Sequence, residues 1–364
     1  MWVLKMALLA GLATGGTGVA PDEDVVFYPT YARWDETAGA WEATVRGVVY
    51  EPEVGSTKRA LLLSSLRRTT GVEKDSPQGQ LFDRRMRRFL VDNQSDKLIS
   101  VRLGDAEHRM LPSQDNGHFR GAFSLTAAAA RQATGSDDPA GGWVPYRAIM
   151  PRDDARRPTG RFQLVPPDGL SVISDIDDTI KITEVGDRDR MLARTFLMPY
   201  QAVPGMAEQY RWLAAEGAVF HFVSGSPWQL YLPLQSFMRA SRFPAGSFHL
   251  KHFRIKDSSL WEMFKSQQEY KLGAIGQILE AFPRRSFLLV GDSGEQDPEV
   301  YGALARKYPR QVAGIYIRNV SDESAEDPRF GQAFRQVDRG RWVLFATAGE
   351  VRIVDRREQD NGAG

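Results

Sequence analysis

Leu170-Ser171-Val172-Ile173-Ser174-Asp175-Ile176-Asp177-Asp178-Thr179 joins a short β-rich run to three carboxylates. Five mostly apolar residues read as a buried strand that stops where the acids begin. The same design recurs twice downstream. Ala218-Val219-Phe220-His221-Phe222-Val223 runs into Ser224-Gly225-Ser226-Pro227, and Ser286-Phe287-Leu288-Leu289-Val290 runs into Gly291-Asp292-Ser293-Gly294-Glu295-Gln296-Asp297-Pro298-Glu299. A fourth run, Val312-Ala313-Gly314-Ile315-Tyr316-Ile317, follows, and helix-like stretches occupy 206–216, 227–238 and 270–282. Strand alternating with helix predicts a parallel, doubly wound α/β sheet with its ligands at the carboxyl ends of the strands.

The polar clusters at those ends suggest phosphoryl chemistry. Asp175 and Asp177, two residues apart, suit a division of labour in which one carboxylate attacks phosphorus and holds a metal while the other moves the proton. Asp178 reads as a turn former. Ser224, with the backbone N–H of Gly225 at the start of a helix, is a candidate phosphate contact, and Ser226 is the expected helix N-cap. Lys271, at the opening of a helix, reads alone as a solvated surface charge; beside several carboxylates and a phosphoryl group it is the candidate for the fixed cation they require. Magnesium takes oxygen ligands and keeps waters, so Asp292 is the natural direct ligand and Asp297 an outer one. Glu295 and Glu299 read as a solvated loop and a helix start.

Upstream, the apolar residues alternate over short stretches. Val25-Val26-Phe27-Tyr28, Trp41-Glu42-Ala43-Thr44-Val45, Gly47-Val48-Val49-Tyr50 and Leu98-Ile99-Ser100-Val101-Arg102-Leu103 read as strands of a mainly β domain, a sandwich or barrel with helical insertions. One insertion places Phe82, Met86, Phe89 and Leu90 on a single helical stripe and Arg84, Arg85, Arg87 and Arg88 on the other faces. Those arginines read as a charged helix on its own domain; the alternative is a basic patch for anionic lipid headgroups. Proline and glycine at 166–169 place the domain boundary there. The expected division is 1–20, 21–166, 167–330 and 331–364. The last part is a strand or hairpin at 341–354 followed by a disordered tail.

With 364 residues, two domains are the expectation. A net charge of +1 leaves no global field for nucleic acid, so an anionic partner must meet a local patch. The absence of cysteine excludes thiol catalysis, disulfides and thiolate metal sites. His249 and His252 lack a nearby third ligand and read as structural or substrate-edge residues, not a zinc site. Met6-Ala7-Leu8-Leu9-Ala10-Gly11-Leu12-Ala13 before Gly18-Val19-Ala20 resembles a secretory signal, which implies a periplasmic or secreted protein. A disordered or misassigned start is the competing reading, with a cytoplasmic protein peripheral at a membrane. No later stretch approaches transmembrane length.

Taken in order, Asp175, Asp177 and Thr179, then Ser224, then Lys271, then Asp292 with Asp297 resemble the four motifs of the haloacid-dehalogenase-like phosphatase superfamily. The longer runs Ser174-Asp175-Ile176-Asp177-Asp178-Thr179-Ile180-Lys181, Ser224-Gly225-Ser226-Pro227-Trp228-Gln229-Leu230-Tyr231 and Gly291-Asp292-Ser293-Gly294-Glu295-Gln296-Asp297-Pro298-Glu299-Val300-Tyr301 resemble the actin-patch phosphatidate phosphatase family and its bacterial relatives. Val26-Phe27-Tyr28-Pro29-Thr30-Tyr31-Ala32 and 41–51 extend the likeness upstream.

The resemblance implies magnesium-dependent hydrolysis of phosphatidate to diacylglycerol and phosphate through an aspartyl-phosphate. It makes Asp175, Asp177 and Lys271 catalytic; Ser224, Gly225 and Thr179 phosphate-binding; and Asp175, Asp177, Asp292 and Asp297 the Mg2+ set. Phe196-Leu197-Met198-Pro199-Tyr200, with Trp228, Tyr231 and Leu232, offers an apolar rim for a headgroup still anchored in a membrane, although such residues also suit a core. The alternatives are the same chemistry on a soluble phosphomonoester or protein, and a non-catalytic lipid-binding module.

Overall fold

A computed structural model describes residues 17–52, 64–65, 67, 71–252 and 268–354. The leader-like stretch 6–13 and the tail beyond 356 lie outside the described residues. Among the described residues, no helix is long and apolar enough to cross a membrane.

The first half is strand-rich. Strands β1 (Asp24–Tyr28), β2 (Thr30–Asp35), β3 (Ala40–Glu51), β4 (Asp92–Asn93), β5 (Ser100–Leu103), β6 (Ala106–Arg109), β7 (His118–Thr126), β8 (Trp143–Ala148) and β9 (Thr159–Val165) share one hydrogen-bonded sheet. Its pairs are antiparallel except β2 with β9. The two strands expected at 41–45 and 47–50 are one, β3, paired with β7 from Ala40 to Val48. Gly47 is not a break: a Cβ there would lie 2.4 Å from the Phe119 ring and 2.6 Å from Val26 O. The glycine lets two neighbouring strands approach closely.

Helix α1 (Pro77–Met86), capped by Ser76 Oγ accepting from Gly79 N, continues as a 3-10 turn over Arg87–Phe89. Phe82, Met86 and Phe89 are buried as the stripe requires, and Leu90 partly so. The arginines do not form one charged face. Arg85 is buried and donates to Thr195 O (2.6 Å) and Met198 O (2.9 Å), with its guanidinium 3.9 Å from the centre of the Tyr200 ring. Arg88 donates to Tyr50 Oη at 2.9 Å. Only Arg84 and Arg87 stay exposed, so the helix is a bracket between the two halves.

The second half holds a six-stranded sheet in the order β12 (Gly246–Lys251), β11 (Val219–Pro227), β10 (Leu170–Ser174), β13 (Ser286–Asp292), β14 (Val312–Arg318), β15 (Trp342–Phe345), every pair parallel. The tail expected to add a strand or hairpin adds the parallel edge strand β15. Helices α2 (Ala127–Thr134) and α3 (Arg188–Leu192) are short, and α3 passes into a π turn, Ala193–Leu197. Helices α4 (Met206–Ala215), α5 (Tyr231–Ala240), α6 (Gln268–Ala281), α7 (Asp297–Lys307) and α8 (Pro328–Ala333) complete the chain.

Apolar side chains alternate across this sheet. Val172, Phe220, Phe222 and Leu288 pack with α4 and α5, whereas Ile173, Val223 and Leu289 pack with α6 and α7. The strands, covered on both faces, read as unbroken apolar runs for that reason. Helix α5 begins later than expected: Pro227 belongs to β11, and Trp228–Leu230 is a 3-10 turn. Trp228 and Tyr231, offered as rim residues, are core; Tyr231 packs edge-on to Tyr28 and Phe248. Of the proposed rim, Met198 and Pro199 are exposed.

Candidate functional site

Strands β10, β11 and β13 end side by side, and their last residues meet Lys271 from α6. Asp175 N donates to Val290 O at 2.9 Å, which stitches the acidic loop to β13. The loop then turns sharply. Asp178 adopts φ +53°, and its carboxylate accepts from the backbone N–H of Thr183 (2.7 Å), Glu184 (2.9 Å) and Val185 (2.7 Å). Asp178 is therefore the turn former, and its grip aims its two neighbours in different directions.

Asp175 points at Lys271. The ammonium lies 2.9 Å from Asp175 Oδ1, 3.0 Å from Glu295 Oε2 and 2.5 Å from Asp297 Oδ1. Thr179 Oγ1 donates to Asp175 Oδ2 at 3.2 Å, so the threonine expected on phosphate contacts the nucleophile candidate itself. Asp292 accepts from Gly294 N through Oδ2 (2.7 Å), and its backbone N donates to Asp297 Oδ2 (3.2 Å). Gly291 permits that contact: a Cβ there would stand 2.3 Å from Asp297 Oδ2. Three carboxylates thus share one ammonium, with the buried Asp292 beside them.

The electrostatic consequence is large. Burial pushes the Asp175 carboxyl well above its usual range; Lys271 opposes this, and Asp297, Glu295 and Asp177 add to it. Burial also raises Asp292, reinforced by Asp297, Glu295 and Asp175, and it raises Glu295 against the pull of Lys271. Lys271 stays protonated because the surrounding acids outweigh the burial that would lower it.

Asp177 turns the other way. Its Oδ1 faces Lys181 Nζ at 2.7 Å and accepts from Thr183 Oγ1 at 2.9 Å, and its Oδ2 accepts from Ser226 Oγ (2.7 Å) and Ser224 Oγ (3.1 Å). Burial alone would raise this carboxyl. The Lys181 ammonium and the donors around it hold it below the usual range instead.

Several site residues differ from their sequence reading. Ser226 caps no helix; it donates to Asp177, and its N–H donates to Ser224 Oγ at 2.9 Å. Gly225 and Ser224 belong to strand β11, not to a helix N-terminus. Glu295, read as solvated, is turned inward, while Glu299 sits in the first turn of α7 and pairs with Arg329 at 2.8 Å. Lys181 and Thr183 had no assigned part. A lysine four residues after an acid in a non-helical loop carries no periodic signal.

Asp175, Asp292 and Glu295 each offer an oxygen, all within 4.8 Å of one another, close enough for one cation to bridge them. Asp292 Oδ1 is buried without a hydrogen-bond donor among the described residues, and Asp175 Oδ1 has only the ammonium beside it. A small, hard divalent cation fits that donor set. Of the other two expected ligands, Asp177 faces Lys181 and hydroxyls, and Asp297 shares Lys271 with Asp175 and Glu295 and also accepts from the Asp292 N–H.

His249 and His252 line a cavity of about 290 Å³ between the halves, with Arg46, Tyr28, Tyr270 and Gly273. His252 stacks on His118, ring centres 3.8 Å apart, and His249 Nε2 lies 3.0 Å from Ser247 Oγ.

Residues 170–319 match the profile of the family described as phosphatidate phosphatase APP1, catalytic domain. Every carboxylate of the cluster, with Lys181, Ser224, Ser226 and Lys271, falls inside that segment. The chain is 39% identical over 168 residues to phosphatidate phosphatase APP1 of Saccharomyces cerevisiae, which is 45% of this chain and 28% of the yeast protein. It is 33% identical over 159 residues to uncharacterized protein C29B5.04c of Schizosaccharomyces pombe, 43% of this chain and 26% of that protein. The chain thus spans about a quarter of the length of both relatives. These likenesses support a phosphatase enzyme.

Proposed function

We propose that this chain is a magnesium-dependent phosphatidate phosphatase of the haloacid-dehalogenase-like kind, working through an aspartyl-phosphate on Asp175. The observation that carries this reading is the joining of Asp175, Lys271, Asp292 and Glu295 at the carboxyl ends of parallel strands, in the segment similar to a phosphatidate phosphatase catalytic domain.

In this scheme a carboxylate oxygen of Asp175 attacks phosphorus, and the bond from phosphorus to the lipid oxygen breaks. Asp177 passes a proton to the departing alkoxide and later takes one from the water that cleaves the acyl phosphate. Its ion pair with Lys181 favours the ionised form needed in that second half. Lys271 offsets the charge of the acids the substrate must approach, and Ser224 and Ser226 place donors beside Asp177 at the end of β11. Mg2+ held by Asp175, Asp292 and Glu295 would supply positive charge toward the phosphoryl oxygens.

The test offers phosphatidate in detergent mixed micelles and, in parallel, a panel of soluble phosphomonoesters to the full chain, with and without Mg2+. Phosphate release from phosphatidate should require Mg2+ and vanish in Asp175→Asn. Equal or better turnover of a soluble ester would reassign the substrate. Liposome binding without hydrolysis under any divalent metal would refute the enzyme reading.

A further inference from the structure

The turn 293–296, which carries Glu295, has no regular structure; it joins Asp292, the last residue of β13, to Asp297, the first residue of α7. Backbone without a ladder needs another constraint to present side chains at fixed positions. At the first residue of the turn, Ser293 N donates to Arg318 O and Ser293 Oγ accepts from Val320 N, both at 2.9 Å; a further constraint, which reaches Glu295, comes from beyond the matched segment 170–319, from Arg329 on α8.

Helix α8 is itself firmly placed. Asp327 Oδ1 accepts from Arg329 N at 2.9 Å and starts the helix. Gly302 of α7 meets Ala333 of α8 so closely that a Cβ would lie 2.0 Å from Ala333 O. Arg306 Nη1 donates to Ala333 O (2.7 Å) and Arg335 O (3.1 Å), and Phe334 stacks on Trp342 of β15 with ring centres 4.6 Å apart.

From this base the Arg329 guanidinium reaches back to the loop. Nη1 donates to Ser293 O at 2.7 Å and Nη2 to Glu295 O at 2.5 Å, one carbonyl on each side of Gly294. Nε and Nη2 hold Glu299 at 2.8 and 3.3 Å, and Nη1 holds Glu323 at 3.0 Å. A planar fork with five N–H groups can satisfy two carbonyls and two carboxylates at once, which a lysine cannot do. Drawing both carbonyls outward leaves Gly294 N–H for Asp292 Oδ2 and turns the Glu295 side chain toward Lys271.

We propose that Arg329 is a positioning residue for the cation site: it fixes the 293–296 loop so that Glu295 joins Asp175 and Asp292 as the third oxygen donor. The proposal rests on the metal-dependent reading above. Arg329 touches no reacting atom and acts through the backbone of the loop.

The experiment titrates Mn2+ into the full chain by electron paramagnetic resonance and, separately, measures kcat at saturating Mg2+. Wild type, Arg329→Gln, Arg329→Lys, Glu323→Gln and Asp292→Asn are compared, with thermal melts of each. Outer-shell partners change metal affinity by roughly 10–100-fold. Arg329→Gln should raise the Mn2+ Kd at least about tenfold while kcat at saturating Mg2+ stays within a few-fold. Arg329→Lys, which can keep one carbonyl, should fall between, and it is the variant to rely on if the glutamine protein does not fold. Glu323→Gln should leave the Mn2+ Kd close to wild type. Unchanged Mn2+ affinity in both Arg329 variants overturns the proposal, as does a loss shared equally by Glu323→Gln in step with lowered melting. Absence of Mn2+ binding by wild type, indistinguishable from Asp292→Asn, refutes the metal reading itself and the proposal with it.

Discussion

Asp175 and Asp177 are two residues apart on one loop, both buried, and held in opposite electrostatic states. Asp175 lies among Asp292, Glu295 and Asp297 with a single shared ammonium and is pushed up. Asp177 has Lys181 to itself and three hydroxyl donors, and is pulled down. Burial acts the same way on both, so it is the ratio of cations and donors to carboxylates that separates them. In the proposed scheme attack needs Asp175 ionised and proton donation needs Asp177 protonated, so each acid must move against its resting environment, and a divalent cation beside Asp175 would supply the positive charge that favours its ionised form.

The strongest way to break the comparison is Asp175→Asn. Turnover should fall by roughly 10⁴-fold or more, the scale of losing a catalytic nucleophile. The melting temperature should hold or rise, because a repelled carboxylate has been removed from a crowded pocket. A clear fall in melting with residual turnover would show Asp175 to be structural.

Lys181→Met tests the other side. It strands Asp177 as a buried charge, a change that costs about 3–5 kcal/mol. The Asp177 pKa should rise, so the acid limb of the pH–rate profile should move to higher pH. A profile identical to wild type would remove Lys181 from the account.

The two acids should also give stability opposite pH slopes. Asp175, Asp292 and Glu295 have raised pKa values in the fold, so the folded form binds more protons and their contribution falls as pH rises through the interval above about 4. Asp177 is depressed, so its contribution is present above the ordinary carboxylate range and is lost as pH falls. Mg2+ should therefore raise the melting temperature more at pH 8 than at pH 5, measured by scanning calorimetry against a chelator-treated control. Equal shifts at both pH values would contradict the cluster as the binding site.

Asp178→Asn makes the smallest change. Asparagine tolerates φ near +53° but has only one side-chain oxygen for three N–H groups. A loss of about 1–2 kcal/mol in stability with kcat changed only a few-fold is expected. A loss of turnover matching Asp175→Asn would give the third acid a chemical part.

What was legible in the sequence follows from the same physics. Buried parallel strands are apolar on both faces, so 170–174, 286–290 and 312–317 stand out as runs, and the first acid beyond two of them, Asp175 and Asp292, marks the site edge. Asp175, Ser224 and Asp292 are visible because they sit at strand ends, whereas Lys271, on α6, stands out only in their company. Glu295 and Asp297 are not separable by spacing: Glu295 lies on an irregular turn and Asp297 at the start of α7 two residues on, and the shape of the turn sets which of them joins Asp175 and Asp292. Ser226 misled because proline after serine imitates a helix start, whereas β11 extends through Pro227. Arg85 looked like surface charge because a helical stripe identifies the buried apolar face but not an arginine whose acceptors lie 110 residues away.

That arginine has a further consequence. The bracket helix carries Phe82, Met86 and Phe89 into the same apolar cluster as Val172, Phe196, Phe220 and Trp228, so residues from both sheets share one interior. Separating the halves would expose that interior and break the hydrogen bonds of Arg85 to Thr195 O and Met198 O. The strand-rich half is thus a structural component of the catalytic half, and the expected outcome in scanning calorimetry is one cooperative transition rather than two.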